Sequence, residues 1–443
     1  MRLVTALIAA TLTACSGGGG AETKEVVIGQ FGSMTGTAAT FGISTANGAA
    51  IATEEQNAKG GIAGAPIRMV LEDDQSKAEE AATAVNKILS RDRPVAVLGE
   101  VASSRSLAAA PLLQAAGVPM ISPSSTSPKV TEVGDHIFRV CFIDPFQGTA
   151  IAQFAYTSKG LKNVAILKDV KNDYSVGLAD YFTTTFTSLG GTIVGEEAYS
   201  EGDFDFKAQL TNLVSKNPDA LFLPGYYTEV GLIARQAREL GFKGIFLGGD
   251  GWDSDKLVEI GQDAIVGSFY TNHYSVDDPN PAVQSFIKKY EAKFGAKPDG
   301  LAALGYDSAA ILYAAMEEVA KNNPEHAAAF ADRSGVPATE ASRKAARLAL
   351  RDQLARVKDF PGVTGSITID EKRNAQKPAV VVEVTKAGPK FVESIAPDGT
   401  SRTSQDAAPA AADAAGTAAP PAEGAAPATG AAAPAEAPPA AAK

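Results

Sequence analysis

Short runs of β-branched and aliphatic residues alternate along this chain with longer stretches whose apolar positions recur at helical spacing. Val26 to Phe31 predicts a strand, and the stretch from about Thr45 to Ala58, closed by Gly60-Gly61, predicts a helix. Ile67 to Leu71 is a second strand, after which Ser76 and Glu79 have the spacing of a capping box opening a helix to Leu89. A buried-type strand at Val95 to Gly99, a helix at Ser106 to Ala116 and a strand at Val118 to Ile121 continue the series. The rhythm restarts with a strand at Val164 to Leu167, a helix through Phe186 and a strand at Thr192 to Val194. Helices at Phe206 to Lys216 and Glu229 to Leu240 then precede strands at Ala220 to Leu223 and Ile245 to Leu247. Such alternation predicts an α/β fold of parallel sheets with helices on both faces.

The series breaks near Asp144-Pro145 and again near Tyr274, which divides the chain into two similar units. Beyond Tyr274, helices at about Ala282 to Phe294, Leu304 to Lys321 and Lys344 to Lys358 precede strand candidates at Gly365 to Ile369 and Ala379 to Val384. This remainder is too small and helix-rich for a third unit, so it is expected to return and complete the first two. The expected division is residues 25–142 with 275–373 in an N-terminal lobe and 143–274 with 376–396 in a C-terminal lobe, joined by a multi-strand hinge. The polar, Ala-rich stretch from Asn322 to Ser342 is expected as a surface loop or a short helix.

Both ends depart from this pattern. Met1-Arg2 and the apolar run Leu3 to Leu12, ending at Ala14-Cys15, have the layout of a secretory signal too short to span a bilayer. Residues 1–14 read as signal peptide and 15–24, with four consecutive glycines, as a flexible tether. From Ser401 to Lys443 the chain is mostly Ala and Pro. It has too little apolar surface to offset its ordering entropy, so 401–443 is expected to be a disordered tail. The formal net charge of -11 argues against a nucleic-acid partner, which needs basic patches. Two cysteines, Cys15 and Cys141, and the scattered His136, His273 and His326 offer no zinc cluster. The spacing of Asp250, Asp253 and Asp255 does not fit a calcium loop, and no metal or cofactor is expected. Cys141, inside the apolar stretch Ile137 to Phe142, reads as a buried, unreactive thiol.

In open parallel sheets, ligands bind beyond the carboxyl ends of the strands. Ala102-Ser103-Ser104 and Ser122 to Ser127 stand there in the first unit. Asn172-Asp173-Tyr174, Gly225-Tyr226-Tyr227 and Gly248 to Trp252 stand there in the second. One unit offers hydroxyls and backbone N–H groups, the other aromatics and the Asp250 carboxylate. That division suits a zwitterion, whose carboxylate needs donors and whose ammonium needs an anion.

Gly32 to Gly36, Asn57 to Ile62, the Ser122-Pro123 loop and Gly305-Tyr306-Asp307 resemble, in this order, the type I periplasmic binding proteins of branched-chain amino acid ABC importers. The resemblance runs from about Val26 to Ile395 and implies two Rossmann-like lobes. It implies that Ser103 and Thr126 bind the ligand α-carboxylate, that Ser124 offers its backbone carbonyl to the α-ammonium, and that Asp250 pairs with that ammonium, where many relatives carry Glu. Tyr174 and Tyr226 match aromatics that close over the ligand. Phe41 falls where a Tyr commonly lines the side-chain pocket, so a hydroxyl is missing. Ala102 stands where some members have Cys, so the family's disulfide is absent. The end of the signal resembles a bacterial lipobox, which implies acyl chains on Cys15.

Each site residue has a structural alternative. Ser and Thr after a strand cap helices or form turns. Asp250 suits an ordinary turn, the tyrosines suit interhelical packing, Phe41 suits the core, and Trp252 either walls the pocket or seals the lobe. The expected function is that of a lipid-anchored extracytoplasmic monomer delivering an amino acid, aliphatic by default, to a permease/ATPase complex. An enzyme is the weaker reading: there is no nucleophile elbow, P-loop or dinucleotide fingerprint, and no histidine follows a predicted strand. The other alternative is a sensor of the same fold for an amide, urea or short-chain acid.

Overall fold

The computed structural model describes residues 25–331 and 339–403. Its first sheet is wholly parallel, in the order β2-β1-β3-β4-β5. The strands are β1 (Val26–Gly32), β2 (Ile67–Asp73), β3 (Ala96–Leu98), β4 (Met120–Ser122) and β5 (Ile137–Arg139). Helices α1 (Ala39–Ala58), α2 (Ala78–Lys87), α3 (Ser103–Ala116) and α4 (Lys129–Glu132) link them. All seven residues of β1 are buried, as expected of a parallel strand covered on both faces.

The second sheet repeats the same winding. Strands β6 (Asn163–Asp169), β7 (Thr192–Tyr199), β8 (Ala220–Phe222), β9 (Ile245–Gly248) and β10 (Phe269–Asn272) lie parallel in the order β7-β6-β8-β9-β10. They alternate with α5 (Asp144–Gln153), α6 (Asp173–Ser188), α7 (Lys207–Val214), α8 (Tyr227–Glu239) and α9 (Asp255–Gly261). Each lobe is therefore a doubly wound unit whose strand order reverses beside its first strand, the point where such sheets leave a crevice.

The remaining chain serves both lobes. It forms α10 (Pro281–Phe294), α11 (Gly300–Asn322), α12 (Pro324–Ala331) and α13 (Glu340–Leu354). A small antiparallel sheet of β11 (Phe360–Gly362), β12 (Gly365–Ile369) and β13 (Ala375–Gln376) follows. Then β14 (Ala379–Thr385), paired antiparallel with β10, β15 (Gly388–Ile395) and β16 (Ser401–Thr403) extend the second sheet, each antiparallel to the strand before it. Helix α11 crosses α1 so closely that a Cβ on Gly48 would lie 1.8 Å from the Ala302 carbonyl oxygen, and one on Gly305 2.3 Å from that of Thr45. Two residues on, Asp307 is buried and accepts from the amides of Val363 (2.7 Å) and Thr364 (2.8 Å), which ties α11 to the β11–β12 turn.

Several expectations are corrected. Ser76 caps no helix: at φ +60 its hydroxyl donates to the Thr35 carbonyl (2.8 Å) and accepts from the Ala38 amide (3.1 Å), tying the ends of β1 and β2 together. Helix α1 begins at Ala39, six residues before the expected start, and this places Phe41 in its first turn. Asp144-Pro145 opens α5, with the proline where a helix needs no N–H. Ser401–Thr403 is an edge strand, not the start of a disordered tail. The expected signal peptide, the Cys15 tether and the rest of the tail lie outside the described residues, as do 332–338. Among the described residues, no helix is long and apolar enough to cross a membrane.

The carboxyl ends of β1, β2 and β3 converge on two buried acids. The Ser33 hydroxyl lies 2.7 Å from Asp74 Oδ1 and 3.0 Å from Glu100 Oε1. Glu100 also accepts from the amides of Ser33 (3.2 Å) and Ala102, which sets the loop leading into α3. Burial, and after it the charge on Asp74, pushes Glu100 up to about 8.

Two outcomes are expected. Gly48→Ala forces α1 away from α11 and lowers the free energy of unfolding, measured with urea, by about 3 kcal/mol. An acid raised on folding adds stability below its ordinary value of 4.5 that is lost as pH climbs to about 8. The urea midpoint should therefore fall between pH 5.5 and 8.5, and Glu100→Gln should make that fall smaller; an unaltered fall would clear Glu100.

Candidate functional site

The carboxyl ends of the two sheets face each other across a small, tightly closed cavity. Phe41, Val101, Ser103, Ser124 and Leu301 line it from one side, and Tyr174, Tyr226, Asp250 and Gly251 from the other. Six of the seven ligand-binding residues expected from sequence thus meet at one site. The seventh, Thr126, is buried behind the wall, where its carbonyl accepts from the Asp144 amide (2.9 Å).

The first lobe builds its side from the start of α3 and the turn after β4. Ser103 opens α3, and its hydroxyl accepts from the Ser127 amide (3.2 Å). Ser122 Oγ accepts from the Ser125 amide (2.8 Å) and closes the turn. The fully buried Arg139, at the end of β5, clasps this turn from behind. Its guanidinium donates to the carbonyls of Ser125 and Ser127 (2.8 Å for Ser127) and to Thr131 Oγ1 (3.2 Å). Cys141 beside it is buried as expected, and burial pushes its thiol up to about 12. Gly42 lets the first turn of α1 lie on the chain after β1, since a Cβ there would sit 2.3 Å from the Ser33 carbonyl oxygen. Phe41 is thereby held edge-on to Tyr226, with ring centroids 5.3 Å apart at 87°.

The second lobe supplies aromatics and charge. Asn172 caps α6 by accepting from the Tyr174 amide (3.0 Å), and the Tyr174 ring stacks on Tyr226 at 5.5 Å and 12°. The Tyr174 hydroxyl accepts from the Gly251 amide (3.2 Å). Asp250, in the turn after β9, accepts from Gln147 at Oδ1 (2.9 Å) and from Ser124 (3.2 Å) and His273 (3.1 Å) at Oδ2. The Gln147 carbonyl holds the same turn by accepting from the Asp250 amide and from Thr271 Oγ1, both at 2.8 Å. Trp252 seals the lobe instead of walling the cavity: it is fully buried, and its indole donates to the Leu223 carbonyl (2.9 Å).

The electrostatics of this corner are one-sided. Burial pushes His273 down to about 4, so its ring is neutral at pH 7. Burial pushes Asp144, beside Asp250, up to about 8. All three donors to Asp250 are therefore neutral, and among the described residues no lysine or arginine bonds to it. A buried carboxylate with neutral donors alone favours a cation of suitable size. Of the other lining groups, Phe41, Val101, Leu301 and the Tyr226 ring are apolar.

The lobes are also pinned at the rim. Arg105 pairs with Glu201 at 2.6 Å, Lys129 with Asp173 at 2.8 Å, and the Asp173 amide donates to Ser104 (2.9 Å). Thr228 donates to the Thr37 carbonyl (2.7 Å), and Thr40 Oγ1 to Ser254 (3.0 Å).

Sequence reasoning missed Val101, Leu301, Gln147, Arg139 and His273. The expectation that no histidine follows a strand is overturned: His273 comes directly after β10, a four-residue strand without an aliphatic run. Ser124 and His273 both donate to Asp250 and not to one another, so no nucleophile–base relay is built. Among the described residues, no group of His, Cys, Asp or Glu is placed to hold a metal ion.

Comparison with known proteins agrees with this geometry. A family model described as Periplasmic binding protein matches residues 25–389. The Leu/Ile/Val-binding protein BraC3 of Rhizobium johnstonii is 35% identical over 249 residues, 56% of this chain and 67% of that one. An amino acid binding protein of Pseudomonas aeruginosa is 33% identical over 309 residues, 69% of this chain and 81% of its own. The solved leucine binding protein LivK of Thermotoga maritima aligns with a TM-score of 0.76 at 39% identity, covering 85% of this chain and 100% of that one. LivJ of Streptococcus pneumoniae, solved with isoleucine, aligns at 0.73 and 30%, covering 83% and 99%. The matched family is one of periplasmic binding proteins, not enzymes, and LivJ is named as the substrate binding protein of a transporter. The chain belongs to the periplasmic binding protein family, in its two-lobed type I form.

Proposed function

We propose that this protein captures an aliphatic α-amino acid, branched-chain above all, between its lobes and presents it to an ABC importer. The observation that carries the reading is Asp250, a buried carboxylate met by three neutral donors across a small cavity from the Ser103 and Ser124 turns. In this account the ligand ammonium bonds to Asp250. The Ser124 carbonyl accepts from the same ammonium, the ligand carboxylate lies against Ser103 and the backbone of the turn after β4, and the aliphatic chain lies against Phe41, Val101, Leu301 and Tyr226. The missing hydroxyl at Phe41 makes that part of the lining apolar, and the relatives named for leucine and isoleucine support the same preference.

Closure excludes water and strengthens both charge-assisted contacts. The rim contacts then give the importer a closed shape to recognise. Residues 25–142 with 275–373 and residues 143–274 with 376–396 are the two bodies that move. Acylation of Cys15 would hold the protein at the membrane as an extracytoplasmic monomer.

In a thermal-shift screen of the twenty amino acids, leucine, isoleucine or valine at a hundred times its dissociation constant should add about 2.7 kcal/mol of stability. If none raises the melting temperature, the ligand class is wrong. Asp250→Asn should weaken leucine binding about a hundredfold, equivalent to about 2.7 kcal/mol, with the urea midpoint kept. Unchanged affinity would remove Asp250 from the site.

A further inference from the structure

His273 is not on the cavity wall, yet it governs what Asp250 presents there. Its ring lies against Phe142, with centroids 3.7 Å apart at 27°, and is 3% exposed. Nε2 is 3.1 Å from Asp250 Oδ2, while Nδ1 has no hydrogen-bond partner among the described residues. A carboxylate oxygen only accepts, so the single proton of the neutral ring stands on Nε2. Two charged groups face the ring: Asp250 from the end of β9, which favours the imidazolium, and Lys377 from the chain entering β14, which opposes it. Asp144, at the head of α5, faces Asp250 in turn and is kept protonated by burial. Burial outweighs Asp250 and pushes the ring down to about 4. Ser124 and Gln147 aim the same carboxylate but cannot change charge.

We propose that His273 is a positioning residue for ligand capture: its neutral Nε2–H aims the Asp250 carboxylate without cancelling its charge, and a proton added to the ring supplies an internal counter-ion that displaces the ligand's ammonium. The proposal rests on Asp250 as the ammonium partner. Ammonium and imidazolium compete for one carboxylate, so each lowers the affinity for the other by the same factor.

Imidazole ¹⁵N NMR of the ligand-free protein tests the first half, with His136 and His326 assigned by substitution. His273 should be a neutral Nε2–H ring at pH 7 and mostly charged at pH 3.5. A charged ring at pH 7, or a proton on Nδ1, overturns the proposal whatever the ligand. Saturating leucine should keep the ring neutral at pH 3.5; the same titration with and without bound leucine also overturns it.

Calorimetry with leucine at pH 7 separates aiming from packing. His273→Asn, which keeps a neutral donor, should bind within about threefold of wild type, whereas His273→Phe, which keeps only the stacked ring, should bind about tenfold more weakly. Equal affinity for the Phe variant and wild type contradicts the aiming role. If leucine binds neither wild type nor variant, the ligand reading fails, and the ligand-free NMR still decides the state of His273.

Discussion

A carboxylate taken out of water and given only neutral hydrogen-bond donors is the constraint around which this molecule is organised. Such an anion is costly to bury and becomes favourable once a cation arrives. Asp250 is placed in that condition by neighbours drawn from distant parts of the chain. Gln147 from α5 bonds to its side chain and its amide, Ser124 reaches it from the other lobe, and His273 reaches it from the end of β10. None of the three neutralises it. The buried Arg139 does comparable service for the opposite wall, since its guanidinium donates to the Ser125 and Ser127 carbonyls and so fixes the turn bearing Ser124. Each side is held by hydrogen bonds of its own, and the cavity is lined by both.

That meeting is held by many modest contacts at the rim. Lys129 and Asp173 are partly exposed, so their pair is worth little by itself. Arg105 is buried, lies 5.9 Å above the Tyr226 ring and reaches across the rim to Glu201, which makes it the most constrained of the set. A rim made of small contributions fits the proposed closure around a ligand, which has to be reversible. The larger commitments, Gly48 against α11 and Asp307 against the β11–β12 turn, lie away from the rim.

Much of the architecture was legible because parallel strands covered on both faces are written as uninterrupted apolar runs. Val95 to Gly99 and Ala220 to Leu223 stand out for that reason, and the loops after them hold Ser103 and Tyr226. What escaped notice was short or conformational. The strands β5 and β10 have three and four residues, too few to establish a period, so the residues at their ends, Arg139 and His273, had no frame. Ser76 has the spacing of a cap, but its left-handed backbone turns the hydroxyl toward Thr35 and Ala38. Leu301 was hidden because α11 starts at Gly300, before its apolar period becomes evident, and only the return of this helix brings it to the cavity. Local pattern located the loops. Which side chains share a carboxylate depends on chain crossings that no local pattern records.

Calorimetry with three ligands of one skeleton tests the central claim most directly: leucine, its deaminated analogue 4-methylpentanoate, and its decarboxylated analogue 3-methylbutylamine. If Asp250 and the serine turns each hold one end of a zwitterion, both single-ended analogues bind at least a thousandfold more weakly than leucine, about 4 kcal/mol each. If 4-methylpentanoate binds within tenfold of leucine, the uncompensated Asp250 carboxylate does not select the ligand, and the account is contradicted.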